Sequence, residues 1–461
     1  MFRACRAVAA LLAGAAACLP ATASADAPVP SLHDALGAPP ELKLTLATRL
    51  RYEWLDGQPR AGLNPTDQQL ALRTNLVLEY AAGPLRIGGE LQDSRAWLGK
   101  AGSAISTADV NAVEPVQAWV GLDLPGALGP GSKATVEAGR FTFNLGSRRF
   151  IASDDYRNAT SAYTGLRAVL KGRGGAGATL FYLLPQVRLP DDLAGLLANR
   201  PALDRESFDL QLMGALVTRP ATLLGGAAEL GFYRLVERDA PGRPTRDRHL
   251  NTVSARLVRE ARPGRPDFDL EAAWQTGHAS TSAAATAAVQ QVDAGMVHAA
   301  LGWTFPGAAK AHVTLLYDWI GGDRPGGANT RFDTLFGGRR FEFPPAGIFA
   351  VIGRANLSAP GLRVDLAPGK RFDAMAAWRA MWLASPADAF SQTGVIDKTG
   401  ASGRFAGHNI DLRARYWLVP GRLRGEVDYD WIGKGRFLRD APNAPATGNT
   451  HYAAVALTAS F

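Results

Sequence analysis

The stretch Leu42-Lys43-Leu44-Thr45-Leu46-Ala47-Thr48-Arg49-Leu50-Arg51-Tyr52-Glu53-Trp54 alternates between two kinds of side chain. Leu42, Leu44, Leu46, Thr48, Leu50, Tyr52 and Trp54 are apolar or amphipathic, whereas Lys43, Thr45, Ala47, Arg49, Arg51 and Glu53 are polar or small. A strand sends successive side chains to opposite faces, so this segment has one oily side and one charged side. The next segment repeats it, with Leu70, Leu72, Thr74, Leu76, Leu78 and Tyr80 opposed to Gln69, Arg73, Asn75 and Glu79. Similar pieces of about ten to thirteen residues recur along the chain, long enough to cross a bilayer at a tilt and roughly twice an ordinary strand. Tyr52, Trp54, Tyr80, Trp303, Tyr429 and Trp431 end oily faces, as interfacial aromatic girdles require.

The connections carry a second signal. Short turns at Ala82-Gly83-Pro84, 172–175, Pro263-Gly264, Pro306-Gly307, Pro368-Gly369 and Pro420-Gly421 alternate with long polar segments near 55–66, 98–111, 146–160, 188–205, 279–291, 321–353, 385–406 and 435–448. That rhythm predicts an all-β fold, a transmembrane antiparallel barrel of about eighteen strands with short periplasmic turns and long extracellular loops. The final segment alternates Ala453, Val455, Leu457, Ala459 and Phe461 against small or polar residues, like the terminal strand of bacterial outer-membrane barrels.

At 461 residues and 47% hydrophobic content, the chain offers no apolar run for a membrane helix after its start. Arg3 and Arg6, an apolar stretch through Leu19 and Ala23-Ser24-Ala25 give the charged, hydrophobic, small-residue order of a secretory signal peptide. The expected organisation is a signal peptide at 1–25, a periplasmic segment at 26–40 and an outer-membrane barrel at 41–461. Both cysteines, Cys5 and Cys18, fall in the leader, which leaves no thiolate chemistry in the mature chain. The net charge of +8 is diffuse, and no basic helix or aromatic RNA-binding motif accompanies it, so nucleic acid is not an expected partner.

A barrel of this strand number encloses an aqueous lumen. The alternation points Arg49, Arg51, Arg73, Arg167, Arg256, Arg363, Arg379, Arg413 and Arg415 inward, because an arginine facing lipid at mid-membrane costs about 2–4 kcal/mol. It points carboxylates inward as well, among them Glu53, Glu79, Glu90, Asp269, Glu271, Asp318, Asp411 and Asp428. The wall is therefore mixed, and further basic residues sit in loops, at Arg148, Arg149, Arg339 and Arg340. A single lumen arginine in such a wall is more often a partner in a cross-strand pair than a free contact.

Several stretches together resemble the alginate export family of outer-membrane porins. They are Gly89–Trp97, Glu137–Phe141 continuing through Leu145–Phe150 to Tyr156–Thr160, Glu271–Gly277, Tyr317–Asp323 with Phe332–Phe336, and Ala406–Leu412. Asn409 stands where that family usually has Glu, and Arg148 where a Gln-like residue is usual. The resemblance implies an arginine-rich, anion-selective pore, which in the best-known members carries the polyuronate alginate outward. On the matching positions, Arg140, Arg149 and Arg157 are the candidates for a basic constriction, with a structural alternative in which Arg140 and Arg149 brace a strand end and its loop. The expected function is a channel for an anionic polysaccharide or other anionic solute, with outer-membrane lipid and periplasmic export machinery as partners and no cofactor or metal. A small-organic-anion uptake porin is the alternative. A barrel enzyme is the rival of another class, but no nucleophile accompanies His249, His278 and Asp247.

Overall fold

The computed structural model describes residues 31–461; the expected signal peptide lies outside the described residues. Eighteen strands follow one another: β1 (Leu42–Asp56), β2 (Thr66–Ala82), β3 (Leu85–Trp97), β4 (Asn111–Pro125), β5 (Lys133–Thr142), β6 (Ala162–Lys171), β7 (Gly177–Pro185), β8 (Leu210–Arg219), β9 (Ala227–Glu237), β10 (His249–Arg259), β11 (Pro266–Ser280), β12 (Val289–Thr304), β13 (His312–Ile320), β14 (Leu357–Leu366), β15 (Phe372–Trp382), β16 (Phe405–Val419), β17 (Leu423–Lys434) and β18 (Thr450–Ser460). Each pairs antiparallel with its sequence neighbours, and β18 returns to β1 to close the barrel, with Tyr52 opposite Val455. Phe461 completes the seam through two backbone bonds with Leu46 (2.8 and 3.2 Å). Closure matters because an open sheet edge in lipid would leave a row of unsatisfied amides.

The outward face is the oily one. Leu50, Leu76, Leu91, Val120, Leu166, Leu230, Trp274, Leu301 and Leu315 are all exposed at the barrel exterior. Where a hydroxyl falls on this face it is satisfied locally, as between Thr48 and Thr74 across β1 and β2 (3.2 Å). Leu50→Arg should therefore block assembly, at a cost of about 2–4 kcal/mol, while Thr45→Arg on the lumen face is tolerated. Heat-modifiable gel mobility of the two variants checks this, and equal behaviour would invert the assigned faces.

The lumen is not open. The long loops 143–161, 186–209, 321–356 and 383–404 fold inward and bury an apolar cluster against the wall. Phe150, Phe332, Phe343, Ile348, Phe349, Val351, Ile352 and Phe390 from the loops pack with Phe141, Tyr163, Phe181 and Tyr233 from β5, β6, β7 and β9. Edge-to-face and tilted ring pairs, Phe150 with Tyr233 (5.0 Å) and Tyr163 with Phe336 (5.9 Å), fix loop to wall.

Candidate functional site: arginine-lined cavities in the lumen

Two of the inward loops are joined backbone to backbone. Ala152 donates to the Phe336 carbonyl (3.0 Å), Phe336 to that of Phe150 (2.9 Å) and Gly338 to that of Arg148 (3.0 Å). The approach is so close that a Cβ at Gly337 would lie 1.9 Å from the Arg149 carbonyl oxygen, which explains a glycine there. Loops 143–161 and 321–356 thus form one partition across the lumen.

Paired arginines fasten the partition to the wall. Arg149, almost fully buried, bonds Asp269 (2.8 Å) and Glu271 (2.5 Å) of β11 and also Glu342 of the partner loop. Arg340 spans Asp411 (2.6 Å) of β16 and Asp428 of β17. Arg354 holds Glu342. Opposite, three wall arginines clasp the turn at 155–157 by its carbonyls. Arg51 reaches Tyr156 (2.6 Å), Arg49 reaches Asp155 (3.2 Å) and Arg157 (2.8 Å), and Arg73 reaches the same two (2.9 and 3.1 Å).

Basic cavities lie on both sides of the partition. The outer one, about 250 Å³, opens at the extracellular ends of β6 and β7 and is lined by Arg157, Arg188, Arg339 and Arg354, with Asp154 its one lining carboxylate. Arg188 reaches only backbone carbonyls and the Ser161 hydroxyl (3.3–3.4 Å), and Arg339 the Ala350 carbonyl (3.1 Å). Burial, and then the charge of Arg157, push both guanidinium groups down to about 10. A neighbouring cavity of about 180 Å³ shares Arg354 and adds Arg246, Arg248 and Arg331. The inner cavity, about 290 Å³, faces the periplasmic half, where Arg49, Arg51, Arg148, Arg340, Arg413, Arg415 and Arg424 outnumber Asp154, Asp155 and Glu426. Arg148 adopts φ 63° and stacks 4.4 Å over Phe341. A non-glycine residue held in that region is strained, and such strain concentrates at functional positions.

The other arginines expected in the pore are engaged in the wall. Arg140 bonds Glu114 (2.5 Å) and Glu206 (2.7 Å). Arg167 pairs with Glu137 and lies 4.5 Å over Phe141. Arg256 joins Glu229 (2.9 Å) to Asp269 (2.7 Å), and Arg379 holds Asp318 (2.6 Å). Of the family-matched trio, only Arg157 lines a cavity; Arg140 and Arg149 have the bracing geometry. Asp269, His298 and Glu342 bring ligand-type atoms within 4.8 Å of one another. Arg149 and Arg256 already occupy Asp269, and Arg149 and Arg354 occupy Glu342, so this is an ion-pair hub rather than a cation site.

Loop 186–209 closes over the outer cavity through a buried carboxylate. Asp204 accepts from Leu189 N–H (2.9 Å) and Asn111 (3.0 Å), while its own N–H donates to Glu114 (2.9 Å). Burial, reinforced by the Glu114 charge, pushes Asp204 up to about 7. A carboxyl raised in the folded state costs nothing below its unfolded value near 3.8 and a growing amount up to about pH 7, on the order of 4 kcal/mol at most. Protection factors in 186–209, taken relative to the intrinsic base-catalysed exchange rate at each pH, should accordingly be higher at pH 5 than at pH 8, and Asp204→Asn should flatten the difference. A profile unchanged by the substitution would refute this.

The family described as Alginate export matches residues 41–451. The chain belongs to that family. Its barrel is similar to OpdK from Pseudomonas aeruginosa, at 12% identity and a TM-score of 0.55, covering 91% of this chain and 99% of that one. Similar too are OccAB3 from Acinetobacter baumannii (12%, TM-score 0.57, 91% and 99% covered) and OccK2 (OpdF) from Pseudomonas aeruginosa, solved with glucuronate (13%, 0.56, 91% and 98%). No curated protein matches the sequence. At such identities the structural likeness establishes the fold, whereas membership of the alginate export family makes the protein an outer-membrane channel.

Proposed function

We propose that this channel conducts anions through the partition, from one arginine-lined cavity to the other, and that its preferred cargo is a small carboxylate of sugar-ring size. The observation that carries the reading is the outer cavity, where Arg188 and Arg339 are half-buried with carbonyl and hydroxyl partners but no carboxylate bonded to them. A partly desolvated cation without a bonded counter-charge favours an anion arriving from solution. The cavity volumes support a compact solute, since each holds about one small molecule. Passage of an extended polyuronate would require the joined loops to separate first.

The glucuronate bound in OccK2 makes that uronate the natural probe. In planar bilayers, glucuronate should interrupt single-channel current at lower concentration than a neutral hexose, and a polyuronate oligomer should block only from one side or weakly. Strong block by the oligomer with none by the monomer would favour polymer export. Current indifferent to both would reject an anion site.

A further inference from the structure

The periplasmic corner formed by β8, β9 and β10 presents a feature that the pore does not use. Arg219 ends β8 on the same face as Val217, and Arg259 ends β10 on the same face as Val253; both valines are half exposed on the lipid side. The register runs Arg219 to Ala228 on β9 and Ala228 to Leu257 on β10, so the two arginines flank the end of β9. Two strand spacings across and two residues along separate their backbones, about 12 Å, which two long side chains converging on one group can span. The residues between them are small, Gly226 just before β9 and Ala228 at its start.

At the periplasmic rim of this notch the 220–226 turn holds two leucines outward. Leu223 and Leu224 are each 73% exposed, and the backbone achieves this with Ala221 at φ 52° and Leu224 at φ 56°. Left-handed conformations at two non-glycine residues in one turn are costly. Arg259 is positioned beneath them: it lies 5.0 Å over the Phe268 ring and donates to the Leu224 carbonyl (2.8 Å), while its Nε has no partner. Arg219 is exposed and, among the described residues, forms no ion pair. The adjoining turn adds exposed Arg262 and Arg265 against one acid, Glu260.

We propose that this corner binds an anionic phospholipid of the periplasmic leaflet, with the phosphodiester between Arg219 and Arg259 and the acyl chains along Val217, Leu230 and Val253. The charge and apolar surface match that molecule in order and depth: cations at the headgroup level, Val217, Leu230 and Val253 on the membrane side of them, and the turn leucines at the rim. The inference does not depend on what the pore conducts.

Native mass spectrometry of the mature barrel, titrated with phosphatidylglycerol or phosphatidylcholine of identical chains, tests it. The first phosphatidylglycerol should bind about tenfold more tightly. Arg219→Gln with Arg259→Gln should bring the two lipids to parity, whereas Arg404→Gln on an extracellular loop should leave the preference intact. If the double variant does not assemble, the wild-type preference should still collapse when the salt concentration is raised. Equal binding of the two lipids by the wild type, or a preference unaffected by both the variant and salt, overturns the site. So does a uronate oligomer, rather than a lipid, whose binding is lost in the same variant.

Discussion

Replacing Arg149 with methionine should loosen the partition and raise single-channel conductance several-fold while the barrel itself still forms. Arg149 is the one side chain that ties loop 143–161 to both β11 and loop 321–356. Its removal leaves Glu271 and Glu342 buried without that partner, and breaking a buried pair from one side costs about 3–5 kcal/mol. The wall keeps its backbone ladder and lipid face, so heat-modifiable mobility should persist. Lys133→Gln is the control, because Lys133 pairs with the part-exposed Asp123 of the neighbouring strand β4 (2.8 Å), away from both loops, and should cost about 1 kcal/mol or less. Hydrogen exchange would register the same event as deprotection confined to 143–161 and 321–356. Unchanged conductance and exchange in the Arg149 variant would show that the loops are held by their apolar contacts alone.

The second large effect is on selectivity. Arg157→Gln with Arg339→Gln removes two of the four arginines of the outer cavity and leaves Asp154 in place. Within about 6 Å of a passing monoanion, each charge contributes roughly 1–3 kcal/mol at an effective dielectric between that of water and ε ≈ 20. The anion-to-cation permeability ratio should fall by about tenfold or more, while the barrel still forms: Arg157 gives up only its pair with Asp154 of its own loop (2.8 Å), and Arg339 makes no ion pair among the described residues. A double variant with the wild-type ratio would place selectivity elsewhere, and the inner cavity around Arg413 and Arg415 would be examined next.

The barrel was legible in the sequence because lipid imposes one rule on every strand. The exposed face must be apolar and the period must be two, so Leu42–Trp54 and Leu70–Tyr80 announce their orientation without knowledge of their neighbours. Turn and loop lengths then supply the strand count, which the structure gives as 18. The site was legible only in part. Alternation says that an arginine faces the lumen, but not which carboxylate meets it there. Arg140, Arg149 and Arg157 look alike in sequence, yet two are engaged by acids from distant strands and loops, and one lines a cavity.

Alternation does not single out Arg188 or Arg354, and it assigns Arg339 only to a loop. A signal was present in loop 321–356, where Phe341, Phe343, Ile348, Phe349, Val351 and Ile352 form a run too apolar for an extracellular surface. Such a loop has to bury itself, and it does so in the lumen against Phe141, Tyr163, Phe181 and Tyr233. Its arginines were bound to go with it. The partners they find there depend on how two loops zip together, through contacts such as Gly337 against Arg149, which no periodicity encodes.

The most direct test of an anion-conducting pore is the reversal potential of the wild-type protein in a planar bilayer under a KCl gradient. The account predicts a sign showing chloride to be more permeant than potassium, shifted toward zero in the Arg157→Gln, Arg339→Gln variant. A potassium-selective reversal potential in the wild type would contradict it.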